Sequence, residues 1–300
     1  MHTDSMTPGV QITRGHYTLL VVASALTCLL ITLGGIVCVT GSAAGCPDWP
    51  GCYGRIVPPP QVNAIIEYVH RFVAALTSPF IIAAAVVSWR RARSIRWVSR
   101  PPVIAIPFLL AVIVFGALAV LRGLPRGLAA VDLGSALIVL ALMAEATAAA
   151  GLRRADPGRP DRLSIRDARL ALGALGATFV VLVGGVLVAG KGSLTRCLGW
   201  PMARFMDYDL PGWPQAARLF MAALAGVLIV ALVVDAWRTQ RRRTAYRIVA
   251  TAAGVLLLVE IIAGVLMLAA GFSIAPLAVS VAAAAVLWAL LVALVVWSGT

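Results

Sequence analysis

Apolar residues in this chain are gathered into blocks. Eight such runs lie near residues 17–40, 64–88, 102–121, 128–150, 170–189, 215–236, 248–270 and 276–297. Each can cross a hydrocarbon core, which takes about 20 residues at the helical rise. Within lipid only a helix satisfies its own backbone groups over such a segment, so the pattern predicts an all-α integral membrane protein with eight transmembrane helices. Composition agrees: 61% hydrophobic residues, 12% charged ones and a mean hydropathy of +0.96 are too apolar for a water-soluble surface. The first block is followed by Gly41-Ser42-Ala43-Ala44-Gly45, small residues of the kind that follow a secretory signal. Yet the run from Tyr17 to Val39 exceeds the usual signal core of about 7–15 residues and has a counterpart later in the chain, which predicts a retained membrane helix.

That counterpart belongs to an internal repeat. Gly34-Gly35 recurs as Gly184-Gly185, Gly41-Ser42 as Gly192-Ser193, and Cys46, Trp49 and Pro50 as Cys197, Trp200 and Pro201. Arg71 answers to Arg218 and Gly116 to Gly264, every offset lying between 147 and 151. Four helices per copy is an even number, so the copies share one orientation and are not the inverted repeats of many transporters. The expected architecture is two tandem four-helix bundles, residues 1–150 and 151–300, each able to hold a ligand between facing helices.

A net charge of +13 raises the question of nucleic acid, and the distribution of the arginines answers it. Arg14 and three alternate loops, those containing Arg90, Arg153 and Arg241, hold 17 of the 25 basic residues, whereas the intervening loops hold six. By the positive-inside rule the rich side is cytoplasmic and carries both termini, in a plasma-membrane protein. The charge therefore reads as topology with contact to membrane lipid, and no nucleic acid is expected.

Chemistry concentrates in the first loop on the opposite side. Cys46-Pro47-Asp48-Trp49-Pro50-Gly51-Cys52 precedes Glu67-Tyr68-Val69-His70-Arg71 at the start of the second helix. In an oxidising compartment Cys46 and Cys52 are well placed for a disulfide. Free thiols or a metal site are the alternatives, although zinc wants four ligands and the loop has no histidine. Cys28 and Cys38 read as small buried hydrophobes, and Cys197 has no partner in its own loop. Glu67 and His70, three residues apart, share a helix face. Ionisable groups at membrane depth are costly, which marks the pair as a functional candidate. His2 and His16 read as tail residues, leaving His70 as the histidine of the apolar region. It is either a hydrogen-bonded core residue or an axial ligand of a heme iron, with a carboxylate and a cation beside the macrocycle.

Thr40-Gly41-Ser42, the Cys46 to Cys52 segment and Glu67-Tyr68-Val69-His70-Arg71 together resemble the first extracytoplasmic loop and second helix of the heme A synthase family. The likeness continues weakly through Leu121-Arg122-Gly123-Leu124-Pro125 and the second copy. The resemblance implies an eight-helix oxidoreductase of cytochrome oxidase assembly that converts the C8 methyl of heme O to the formyl of heme A. It implies Glu67 as the catalytic carboxylate, His70 as ligand to the heme iron, Arg71 beside the cofactor, and Cys46 and Cys52 as the redox-active pair. Heme O synthase and cytochrome oxidase subunit I are the implied protein partners.

The departures are as specific as the match. The family has four heme-ligating histidines, two per bundle, and only His70 has a counterpart here. Asp132 stands at the position in helix four, Ala217 in helix six and Ser280 in helix eight, while Cys38 replaces a usual arginine. Asp132 is thus a candidate oxygen ligand, or a partner for Arg71 or Arg218, and the second bundle lacks both ligands for a heme b. Glu145 is expected to snorkel to water or to Arg153 and Arg154, and Glu260 to be protonated or hydrogen-bonded across the bundle interior. Two classes of function remain open: a divergent heme A synthase, and a non-catalytic heme-binding or assembly protein on the same fold.

Overall fold

The computed structural model describes residues 11–158, 164–188, 197, 212–239, 244–270 and 273–299. They form eight long helices: α1 (Arg14–Val39), α2 (Val62–Arg91), α3 (Arg96–Arg122), α4 (Arg126–Ala155), α5 (Ile165–Val188), α6 (Gly212–Arg238), α7 (Thr244–Ala270) and α8 (Ile274–Gly299). Each is long and apolar enough to cross a membrane, and the chain is an all-helical multi-pass membrane protein. The helices overrun the apolar blocks; α3, for example, starts at Arg96 and not at residue 102. Hydropathy marks only the part of a helix that lipid surrounds, whereas the helix continues into the interface, where arginine heads reach water.

α1 to α4 pack in chain order, with α4 returning to α1, and α5 to α8 repeat the arrangement, with α8 returning to α5. The two rings meet through α8, which lies against α1 and α4, and through α4 against α5. Indole N–H groups of α8 fasten it to carbonyls of α4: Trp288 Nε1 donates to Leu137 O at 2.9 Å and Trp297 Nε1 to Ala148 O at 3.4 Å. α1 approaches α8 most closely at Gly35, where a Cβ would fall 2.1 Å from Val281 Cγ1. Gly35→Ala is therefore expected to push α1 and α8 apart and cost about 1–3 kcal/mol. A thermal unfolding midpoint unchanged in detergent would show instead that this junction yields freely.

At the arginine-rich end both rings are densely packed, the first around Leu20, Ile81, Val98, Leu109 and Met143. His16, expected in the tail, is instead inside α1 and only 3% exposed, with its Nε2 2.8 Å from Ser88 Oγ. The helix starts ahead of the apolar block because the Thr13 side chain caps it, accepting from His16 N. Arginines at this end lie over aromatic rings: Arg93 over Trp89, Arg96 over Trp97, Arg154 over Tyr17 and Arg247 over Trp237. Arg154 is thereby engaged, Arg153 donates to Pro157 O, and neither forms an ion pair with Glu145, one of the two destinations expected for that carboxylate.

Towards the other end the rings differ. Residues 28–36 of α1, 68–76 of α2, 110–122 of α3 and 126–129 of α4 include no buried side chain. A Cβ on Gly116 would meet nothing within 4 Å. Close-packed interiors leave inward side chains inaccessible, so half-exposed residues at one level of α1, α2 and α3 mean a loosely filled interior there, while α4 at that depth has Gly134, Ser135 and Leu137 buried. At the matching level of the second ring Val181, Arg218, Glu260, Met267, Leu277 and Ser280 are all buried. That interior is filled by its own side chains.

Candidate functional site

The site is built where the loop after α1 meets the start of α2. Thr40 Oγ1 closes α1 by donating to Ile36 O at 2.7 Å, Gly41 turns the chain at φ 66°, and a short 3-10 turn follows over Ser42–Ala44. Gly45 then runs directly against α2, where a Cβ would lie 2.4 Å from Asn63 O, so glycine is required by close approach. The next residue, Cys46, consequently brings its N–H within 2.9 Å of Glu67 Oε2.

The loop closes on itself. Cys46 and Cys52 are joined in a disulfide with Cα atoms 4.7 Å apart, and both are fully buried. Opposite it the Asp48 carboxylate accepts from the N–H groups of Tyr53 at 2.5 Å and Gly54 at 2.7 Å, residues held at φ 58° and 64°. The Gly54 N–H is the main reason the Asp48 carboxyl stays below its ordinary range, with smaller pulls from Tyr53 and Arg71. Cys52 and Arg55 exchange backbone hydrogen bonds at 3.3 and 3.2 Å, completing the turn.

Arg71 lies one turn along α2 from Glu67 and ties helix to loop. Its Nη2 meets Glu67 Oε1 at 2.5 Å and donates to Cys46 O at 3.1 Å, while Nη1 donates to Asp48 O and Gly51 O, each at 2.6 Å. The side chains of Arg71 and Glu67 are 12% and 4% exposed. Removing one partner of so buried a pair costs about 3–5 kcal/mol, because the other charge is left without its counterpart. Both oxygens of Glu67 are therefore engaged, one by the Cys46 N–H and one by Arg71.

His70 follows on the same helix, inside the stretch of α2 that borders the loosely filled interior. Its ring rests on α1, where a Cβ on Gly34 would be 3.2 Å from His70 Cε1. His70 Nδ1 is buried with no hydrogen-bond partner, and neither Glu67 nor Asp132 bonds to it. Asp132, on α4, likewise has a buried Oδ1 without a partner, and it pairs with neither Arg71 nor Arg218. Buried polar atoms without partners are rare and costly; among the described residues Trp97 Nε1 on α3 and Glu260 Oε1 on α7 are others, and His70 and Asp132 are the two on α2 and α4. The structure thus brings Glu67, Arg71, Cys46 and Cys52 into one network, and leaves His70 and Asp132 with a polar atom each uncommitted.

Several features escape sequence reading. Asp48 as the staple of the loop had a signal, an aspartate ahead of a Tyr-Gly turn. Cys38 had none: it is not a lone buried thiol but is bonded to Cys197, 159 residues away, with Cα atoms 5.5 Å apart. That bond links the end of α1 to the connection between α5 and α6. Cys28 is the free cysteine among the described residues.

In the second ring the counterpart positions are built differently. Arg218 donates from Nε to Val181 O at 3.3 Å, and Ala217 precedes it with no donor atom. Glu260, fully buried, accepts from Ser280 Oγ at 2.6 Å across α7 and α8, which meets the expectation of a hydrogen bond through the interior.

Known proteins share this plan. The COX15-CtaA family, described as cytochrome oxidase assembly protein, matches residues 17–295. The heme A synthase of Bacillus licheniformis is 28% identical over 235 residues, which cover 74% of this chain and 76% of its own. That of Halalkalibacterium halodurans is 27% identical over 225 residues, 73% and 74% of the two chains. A heme A synthase of Exiguobacterium is 29% identical over 199 residues, 65% of each. With both rings inside the matched span, the chain belongs to the COX15-CtaA family of cytochrome oxidase assembly proteins.

Proposed function

We propose that this chain is a heme A synthase-like oxidoreductase that takes heme O into the loosely filled interior of the first ring and oxidises its C8 methyl to a formyl group. The observation that carries this reading is the loosely filled first ring around His70, one helical turn from the buried carboxylate of Glu67. The residues present fit a heme there. An imidazole supplies the nitrogen lone pair that iron takes, and Gly34 lets the His70 ring seat against α1. Asp132 offers an oxygen from the helix that faces the interior from α4. Bound iron supplies one-electron redox chemistry. His70 would hold the macrocycle and Glu67 would take protons released as the methyl carbon is oxidised, with the oxygen atom and the electron acceptor supplied from outside this chain.

The second ring does not fit a heme. Its interior is filled, Ala217 has no donor, and the Ser280 hydroxyl is committed to Glu260. Residues 1–150 are accordingly the catalytic unit and residues 151–300 a degenerate companion that supports it through α8. The arginine distribution supports a cysteine loop that faces the outside of the plasma membrane. Impermeant thiol reagents applied to intact cells after reduction read this orientation, since labelling only in broken cells would reverse it. Heme O synthase as supplier and cytochrome oxidase subunit I as recipient follow from the same reading.

A non-catalytic assembly protein is the second reading, favoured by the engagement of both Glu67 oxygens in the loop. The hemes extracted from the purified protein separate the two. Heme O together with heme A supports turnover, heme O alone supports the assembly protein, and absence of any heme sinks the proposal.

A further inference from the structure

We propose that Arg71 is a positioning residue that latches the Cys46–Cys52 loop onto Glu67, so that the carboxylate is released to a ligand only when the loop lifts. The proposal rests on the function above for the role of Glu67, and on geometry for the latch itself. All four N–H groups on the terminal nitrogens of Arg71 are spent: three on the carbonyls of Cys46, Asp48 and Gly51, and one on Glu67. None remains at that end of the side chain for a carboxylate of the ligand. The other Glu67 oxygen takes the Cys46 N–H. Guanidinium and carboxylate are thus bound to the same loop, one through its carbonyls and one through its amide.

The disulfide belongs to this device. Cys46 O and Gly51 O converge on one guanidinium because the chain between Cys46 and Cys52 is closed into a ring by the disulfide. The dependence also runs the other way. Cys46 and Cys52 are each 0% exposed with the loop docked, and a thiolate must reach a sulfur before it can cleave the bond. Reduction by an external dithiol, which becomes a disulfide while Cys46 and Cys52 each gain a hydrogen, therefore requires the loop to undock first. The rate of that reduction measures the latch without reference to catalysis or to heme.

The test uses the full-length protein in detergent, reduced with dithiothreitol and quenched by alkylation. Mass spectrometry of the peptides follows Cys46–Cys52 and Cys38–Cys197 separately. Arg71→Gln is expected to speed reduction of Cys46–Cys52 about tenfold or more, since the charge-assisted contacts are lost. Arg71→Lys should fall between, because an ammonium can meet Glu67 but lacks the planar fork that spans three carbonyls. If Arg71→Gln does not accumulate, Arg71→Lys carries the test with a severalfold acceleration. Glu67→Gln, which removes the charge from the other side of the contact, should also accelerate it. The rate for Cys38–Cys197 is expected to stay unchanged. Equal rates for Cys46–Cys52 in all forms would overturn the proposal, and so would equal acceleration of both disulfides, which would make Arg71 a support of the whole fold. A protein without heme would defeat the proposed function while leaving these rate differences standing.

Discussion

His70→Ala is expected to yield protein without heme, where the unsubstituted chain is expected to purify with one heme per chain. Axial ligation requires a lone pair directed at the iron, and His70 carries the available imidazole in the loosely filled half of the first ring. Its Nδ1 has no competing partner, so the substitution breaks no hydrogen bond made by that atom. The ring sits against Gly34, and truncation there enlarges a space that is already loosely filled. Folding should therefore survive, and heme content per chain, measured from the reduced pyridine complex, isolates the ligand role. Full heme retention with an unchanged spectrum would place the ligand elsewhere. Two hemes per unsubstituted chain would mean that the Glu260–Ser280 contact opens and that the second ring binds after all.

Glu67→Gln is expected to keep the heme and to reduce the conversion of heme O to heme A by at least about a hundredfold, the usual contribution of a positioned proton acceptor. The amide retains an oxygen for the Cys46 N–H or for Arg71, but it cannot take up a proton near neutral pH. The ratio of heme A to heme O in the extracted pigment reads the step directly, and total heme serves as the control for binding. An unchanged ratio would reduce Glu67 to an anchor for the loop and favour the assembly protein. Loss of all heme would instead assign Glu67 to binding.

How much of this was legible in the chain depends on the range of the interaction concerned. The contact between Glu67 and Arg71 is local, four residues along one helix, yet on the sequence Glu67 pairs with His70 and Arg71 falls beside a cofactor or Asp132, because the spacing alone does not say which neighbour a charge takes. The Cys46–Cys52 bond spans six residues and follows from compartment and proximity. By contrast Cys38–Cys197, His16–Ser88 and Glu260–Ser280 join residues on different elements, and no periodicity within either element carries information about the other. Of the two destinations expected for Glu145, water or the arginines, the second is taken up by tertiary contacts, Arg154 by the Tyr17 ring and Arg153 by the Pro157 carbonyl.

The blocks of apolar residues determined by themselves that the chain spans a membrane eight times, because lipid offers the backbone no alternative to the helix. The repeat of glycines, cysteines and arginines marks two copies in the sequence, and the substituted histidine positions mark them as unequal there. Which interior is loosely filled and which is packed was decided only by tertiary structure. Whether a residue such as Met267 or Glu260 fills a bundle depends on the distance between helices, and that distance is set by contacts such as Gly35 on Val281 between residues far apart in the chain. The commitment of both Glu67 oxygens is likewise tertiary, because it arises where a loop, pressed onto α2 at Gly45, brings its own amide to a carboxylate.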